Sequence, residues 1–279
     1  MPRFVPAKLT CVSLIATVLL ASTAFVRAET VLLVPHRAAY ELTLLNTRGK
    51  SVSSASGRIA LEFTGNACEG YATTFRQVTQ ISDEDGKGQT SDMRLTTFEA
   101  GDGKALRFNG EKRTNDGRPE LTIGNAERAS DGGLSIDVKQ PKPAKIDVDG
   151  VAVFPTEHII KLINAAKKGD RVLEIKLYDG SDGGEKIYDT TAIIGSPVPA
   201  TGRAVEDASE KAGLKPMVRW PIAISYFEPG TGERTPVYVL SFDLFENGVS
   251  GALKLDFGEF SLKGELKRLE LLKVAECAK

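Results

Sequence analysis

The sequence predicts a mainly β protein, an all-β barrel or sandwich that carries one amphipathic helix. Three observations carry this. Apolar and polar residues alternate over short runs, the period of strands with one buried face. Clusters of Gly, Asp and Asn break those runs about every 8–12 residues, as connecting turns do. One segment alone changes to the period of a helix.

The strands come first. Tyr40, Leu42 and Leu44 alternate with Glu41 and Thr43, and Ile59, Leu61 and Phe63 alternate with Arg58, Ala60 and Glu62. Residues 71–81 are rich in Thr and aromatics, a strand composition. Further strands are expected at 93–98, 105–108, 120–123, 134–138 and 145–148, with turns at 83–88, 115–117 and 131–133. The helix is expected over about 156–168, laid on or into the β structure. Ile159, Ile160, Leu162, Ile163 and Ala166 recur at helical spacing, Thr156 is the candidate N-cap, and Lys167, Lys168 and Gly169 suit the C-terminal end. Strands resume at 171–178, 186–194, 217–227, 237–245 and 252–257, and Asn247-Gly248 signals a tight hairpin. Residues 197–216 read as a long loop with a short helical turn around 205–211. Leu262, Leu266 and Leu269 fit a helical period as well as a strand, so that segment stays ambiguous.

The N-terminus reads as an address. Arg3 and Lys8 precede an uncharged stretch whose apolar heart, 9–20, is shorter than the ~20 residues of a spanning helix. Small residues at Ala28, or at Ala24, offer a cleavage site, so residues 1–28 are expected to be a secretory signal peptide. A membrane anchor is the alternative. Cys11 lies inside the apolar stretch, badly placed for the lipid-modified cysteine of a lipoprotein. The mature chain, 29–279, shows no composition shift that forces a domain boundary and is expected to be one exported domain. It keeps 33 basic against 37 acidic residues. That balance argues against binding nucleic acid, which needs a surplus of cations. Cys68 and Cys277 remain, one near each end, and in an oxidising compartment they are expected to pair.

Little in the sequence supports catalysis. His36 and His158 are the only imidazoles, and no Gly-x-Ser-x-Gly elbow surrounds a serine. Both histidines read as surface or packing residues. Two distant histidines and two paired cysteines do not make a zinc site. The acidic, glycine-rich stretch Asp179-Gly180-Ser181-Asp182-Gly183-Gly184-Glu185 lacks the ligand spacing of an EF-hand and is read as a hairpin turn, with calcium as the alternative. No pair of carboxylates stands out for glycosidase work, no phosphate loop is present, and no cofactor is called for. The abundant aromatic residues read as core, unless an incompletely closed barrel leaves an apolar groove for a lipid, an acyl chain or a peptide. The helix residues Ile159, Ile160, Leu162 and Ile163, together with Trp220, are the candidates to line it.

Several stretches together resemble one family. They are Phe154-Pro155-Thr156-Glu157-His158 leading through Leu162-Ile163 and Ala165-Ala166 to Gly169, then Leu177-Tyr178-Asp179-Gly180-Ser181-Asp182 with Tyr188-Asp189-Thr190. Arg219-Trp220-Pro221-Ile222, Ile224-Ser225-Tyr226-Phe227, Phe245-Glu246-Asn247-Gly248-Val249-Ser250, Leu255-Asp256-Phe257-Gly258 and Cys277 complete the set. Jointly they resemble the envelope integrity protein B (EipB) family of alphaproteobacterial periplasmic proteins, over essentially the whole mature chain. The resemblance implies a β-spiral, a single long bent antiparallel sheet curling into a broken barrel with a helix against its interior. It also implies a disulfide from the N-terminal half to the last strand, matching Cys68 and Cys277, and a role in envelope integrity and stress resistance without catalytic residues.

The leading expectation is therefore a non-enzymatic periplasmic protein that binds another protein or a lipid-bearing component. The alternative is a lipid or lipoprotein carrier, which predicts a continuous apolar groove open to solvent. An interior filled by side chains, the 159–163 face included, would sink it. An envelope hydrolase, with clustered carboxylates or a His–Ser contact in a cleft, is the third reading.

Overall fold

A computed structural model describes residues 31–49, 51–230, 232–275 and 277. The expected signal peptide, 1–28, lies outside them. Fifteen strands form one sheet: β1 (His36–Thr47), β2 (Ser54–Asn66), β3 (Gly70–Ser82), β4 (Gly88–Glu99), β5 (Ala105–Thr114), β6 (Glu120–Arg128), β7 (Leu134–Gln140), β8 (Ala144–Val148), β9 (Ala152–Val153), β10 (Val172–Leu177), β11 (Tyr188–Ile194), β12 (Arg219–Phe227), β13 (Tyr238–Phe245), β14 (Ser250–Asp256) and β15 (Phe260–Leu271). Helix α1 (Pro155–Lys168) follows β9, and the short α2 (Asp207–Lys211) lies in the long loop before β12.

The strand order explains the shape. The first and last strands, β1 and β15, pair in the middle of the sheet. From there β2 to β8 run out to one edge and β14 back to β9 run out to the other. The two edge strands are consecutive in the chain, separated only by Asp149, Gly150 and Val151. A sheet whose opposite edges are joined by three residues must bend until the edges are neighbours, yet β8 and β9 do not pair. The result is a bent sheet left open along one seam. Every pairing is antiparallel except β9 with β10. Register shifts at Ala39/Tyr40 and Leu44/Asn46 in β1, Ile123/Gly124 in β6 and Ser241/Asp243 in β13 supply local bends.

Helix α1 sits inside the curve. Leu162 and Ile163 are fully buried, and with Ala165 and Ala166 they join one core with Leu177, Ala192, Trp220, Ile222 and Leu244. Tyr71 and Phe63, from the other side of the ring, pack into the same core. Each fully buried Leu or Ile contributes roughly 1.5–3 kcal/mol. The observed helix begins one residue before the sequence expectation. Thr156 is not its N-cap: the chain enters through Phe154 in extended conformation, Pro155 starts the helix, and Phe154 makes no side-chain cap. At the other end Gly169 turns left-handed, with φ 83°, and its N–H bonds Ala165 O and Ala166 O.

The ambiguous C-terminal segment is strand β15, and the bulge opposite Ala39/Tyr40 explains the ambiguity. Leu266 pairs with Tyr40 and Leu269 with Ala38, so one extra residue returns Leu269 to the face that Leu262 and Leu266 occupy. The inserted residue turns a period of two into a spacing that imitates a helix. The glycine-rich stretch after β10 is a turn between β10 and β11, but a packing one. The Phe108 ring from β5 lies against Gly180 and Gly184 of that turn and Gly124 of β6; a Cβ on Gly180 would lie 2.4 Å from Phe108 Cγ. The acidic residues there serve the turn, since Asp179 Oδ1 accepts the Ser181 N–H at 2.9 Å. In the long loop Glu206, just before α2, accepts the N–H groups of Ala252 and Leu266, beyond the stretch where β14 and β15 pair.

Cys68, in the turn between β2 and β3, is disulfide-bonded to Cys277 beyond β15, with Cα atoms 5.7 Å apart. Asn66 reinforces the junction: its Oδ1 accepts the N–H groups of Cys68 and Glu69, and its Nδ2 donates to Ala275 O at 3.2 Å. The tail from Lys273 to Ala275 is otherwise exposed. Cys68→Ser should lower stability by about 2 kcal/mol without abolishing the fold. The closed loop is long, but without the bond the tail also frays in the native state, and that entropy offsets part of what the unfolded chain gains. An unchanged thermal midpoint, with loss of the bond verified by mass, would show that the bridge has no structural weight.

Candidate functional site

Where α1 fails to fill the curve, a half-open cavity of about 170 Å³ remains at its N-terminal end. The register places its walls. His36 at the start of β1 pairs with Phe63 of β2, and Phe63 pairs with Thr73 of β3. Leu61 lies two residues from Phe63 and so on the same face. The first turn of α1 adds Pro155, Thr156 and Ile159, and the β13–β14 turn adds Asn247, Gly248 and Ser250; Leu33 completes the wall. These walls are mostly apolar, and none of the described lining residues carries a permanent charge.

Its polar groups are held by short local bonds. His36 Nδ1 lies 2.8 Å from Val34 O; a carbonyl only accepts, so that nitrogen carries the proton. Burial pushes the His36 pKa down, which favours the neutral ring. The His36 and Phe63 rings lie 5.8 Å apart, and Phe63 stacks on Tyr71 at 5.3 Å. Val34 N–H donates to Asn247 O at 2.9 Å, fastening the N-terminal segment to the β13–β14 turn. Asn247 Oδ1 accepts the Val249 N–H at 3.2 Å, while its Nδ2 is buried without a partner among the described residues.

Behind Thr156 lies a buried carboxylate. Glu99, the last residue of β4, accepts the Thr156 hydroxyl at 2.6 Å and its N–H at 2.9 Å. It supplies from another strand the cap that α1 lacks in its own sequence, and its charge suits the helix N-terminus. Burial nevertheless raises its pKa to about 7, with the Thr156 bonds pulling the other way. Two residues along, His158 is buried, its Nε2 has no partner among the described residues, and burial pushes its pKa down to about 4. Among the described residues, neither histidine has a serine hydroxyl as a hydrogen-bond partner.

Of the residues named in the sequence as candidates to line a groove, only Ile159 reaches the cavity. Leu162, Ile163 and Trp220 are core, and Ile160 is partly buried against them. Leu162 and Ile163, two of the candidates for the alternative groove, are fully buried. Sequence reasoning missed His36, Phe63, Asn247 and Glu99 as parts of one site. Their only local signals are the strand that begins at His36 and the Asn-Gly turn. Glu99 lies 57 residues from Thr156, and no local pattern announces that contact. No helix among the described residues is long and apolar enough to cross a membrane.

The family model described as EipB-like matches residues 27–273. The cell envelope integrity protein EipB of Brucella abortus (strain 2308) is 35% identical over 249 residues, covering 88% of this chain and 86% of that protein. A crystal structure from Brucella abortus, described as a beta-barrel-like protein of a domain of unknown function, superposes with a TM-score of 0.79 at 34% identity. It covers 87% of this chain and 100% of the other. With a matching family model, a relative similar over nearly its whole length and a shared bent β architecture, the chain belongs to the EipB-like family.

Proposed function

We propose that the protein is exported to the periplasm and maintains the cell envelope by binding another envelope component rather than by catalysis. The observation that carries this is the neutral, mostly apolar cavity left among the described residues beside the buried face of α1. Such a cavity with a few convergent polar groups suits a ligand or a partner's side chain. The relative's name, a cell envelope integrity protein, supports the envelope role. A lipid or lipoprotein carrier would need a continuous groove along the curve, and the burial of Leu162 and Ile163 counts against it.

Deleting the gene should sensitise cells to a membrane-disrupting detergent, and the wild-type chain supplied on a plasmid should restore growth. Fractionation should recover the processed chain with soluble periplasmic markers. Unchanged detergent resistance after deletion, or retention of the unprocessed chain in the cytoplasm, would overturn the proposal.

A further inference from the structure

We propose that the cavity at the start of α1 is a socket for one large apolar side chain of a protein partner. This rests on the binding reading above and names the class of ligand. Size is the first argument. At about 170 Å³ the cavity is close to the ~150 Å³ apolar cavity that holds a single benzene. A leucine, methionine or phenylalanine side chain fits such a space, whereas the long acyl chain of an envelope lipid does not. The cavity cannot lengthen inward, because fully buried Leu162 and Ile163 close the curve beyond Ile159 and Tyr71 backs Phe63.

Charge is the second argument. No Lys or Arg is among the described lining residues, so an anionic headgroup finds no counter-charge. Glu99, hydrogen-bonded to the wall residue Thr156, would repel one when ionised. The lining offers instead the neutral polar residues His36, Thr73, Asn247 and Ser250. These match the neutral N–H and C=O groups that accompany a side chain on a peptide. The walls are also formed in advance, with Leu33 held against the β13–β14 turn by the bond from Val34 to Asn247.

The test follows the methyl resonances of Leu33, Leu61 and Ile159 in the oxidised protein. Three probes are titrated: N-acetyl-leucine N-methylamide, the glycine analogue, and monomeric dihexanoyl phosphatidylglycerol. The leucine probe should shift these methyls and saturate near about 1 mM, the scale set by so small a ligand. The glycine analogue should bind at least about tenfold more weakly. Two cavity-filling variants, Ile159→Phe and Thr73→Leu, should each weaken the leucine probe about tenfold while the rest of the spectrum stays native. Two variants guard against one failing to fold. Saturation by the lipid but not by the leucine probe would overturn the assignment in favour of an acyl ligand. Equal binding of the glycine analogue, no shift at all, or indifference to both variants would overturn the socket itself. Each of these outcomes leaves the proposed function standing, since that reading falls on unchanged detergent resistance after gene deletion or on retention of the unprocessed chain in the cytoplasm.

Discussion

Arg128→Ala should destabilise the protein by about 3 kcal/mol, because it removes a side chain that ties both sides of the open seam. Arg128 ends β6, on the N-terminal side. Its Nε donates to Gly103 O in the β4–β5 turn at 3.0 Å. Nη1 reaches across to Ala152 O of the edge strand β9 at 2.6 Å, and Nη2 to Glu157 of α1 at 2.8 Å. The guanidinium also lies 5.1 Å from the centre of the Phe154 ring. The pair with Glu157 is mostly shielded on the arginine side, so solvent does not cancel it as it would a surface pair. Removing the fork leaves Ala152 O, in a fully buried residue, without that donor, which costs about 1–3 kcal/mol alone. Arg128→Lys should recover little, since an ammonium cannot reproduce three divergent donors. Denaturant unfolding measures the loss, and limited proteolysis at 149–151 should quicken in the variant. A loss below about 1 kcal/mol would mean that the apolar core under Phe154 closes the seam unaided.

What could be read in the sequence, and what could not, divides along the range of the interactions. The strands around Tyr40, Ile59 and Leu134 are legible because alternation is a local consequence of one buried face. Helix α1 is legible for the same reason, its period standing out against its surroundings. The β15 bulge defeats this logic by inserting one residue, which made Leu262, Leu266 and Leu269 look helical. The bent sheet came from the family resemblance, since periodicity alone does not separate a barrel from a sandwich or a spiral. The cavity was least legible. Its wall joins the first strand, the first turn of a helix and a turn near residue 247, and the helix cap behind it comes from Glu99. Ile160, Leu162, Ile163 and Trp220 look equally suited to a groove or a core in the sequence. In the structure Leu162, Ile163 and Trp220 share one buried core with Phe63 of β2 and Tyr71 of β3.

The two perturbed groups at the start of α1 should cancel in the wild-type protein and reveal themselves only when separated. Folding raises the Glu99 pKa from 4.5 to about 7. Between those values the folded state holds a proton that the unfolded state has released, so this contribution to stability is complete below pH 4.5 and lost as pH rises toward 7. His158 works in the opposite sense. Folding lowers its pKa from 6.5 to about 4, so the unfolded state binds the extra proton, and its contribution is complete above pH 6.5 and lost as pH falls toward 4. In the window both share, about pH 4.5–6.5, one proton gained offsets one proton lost, and these two groups give no net slope. Glu99→Gln should expose the histidine, with stability relative to wild type gaining about 3 kcal/mol as pH rises from 4.5 to 7. His158→Gln should expose the carboxylate, with stability relative to wild type losing about 3 kcal/mol as pH rises from 4 to 6.5. Buried His36, whose pKa is also lowered, and Asp179, whose pKa burial raises, add slopes common to all three proteins. Subtracting the wild-type curve removes them. Denaturant midpoints measured every half pH unit decide the matter, and parallel curves for wild type and both variants would refute the opposed burial of these two groups. The same measurements test whether Glu99 caps α1 in its neutral or its charged form near pH 7, the state that sets the electrostatic character of the cavity wall at Thr156.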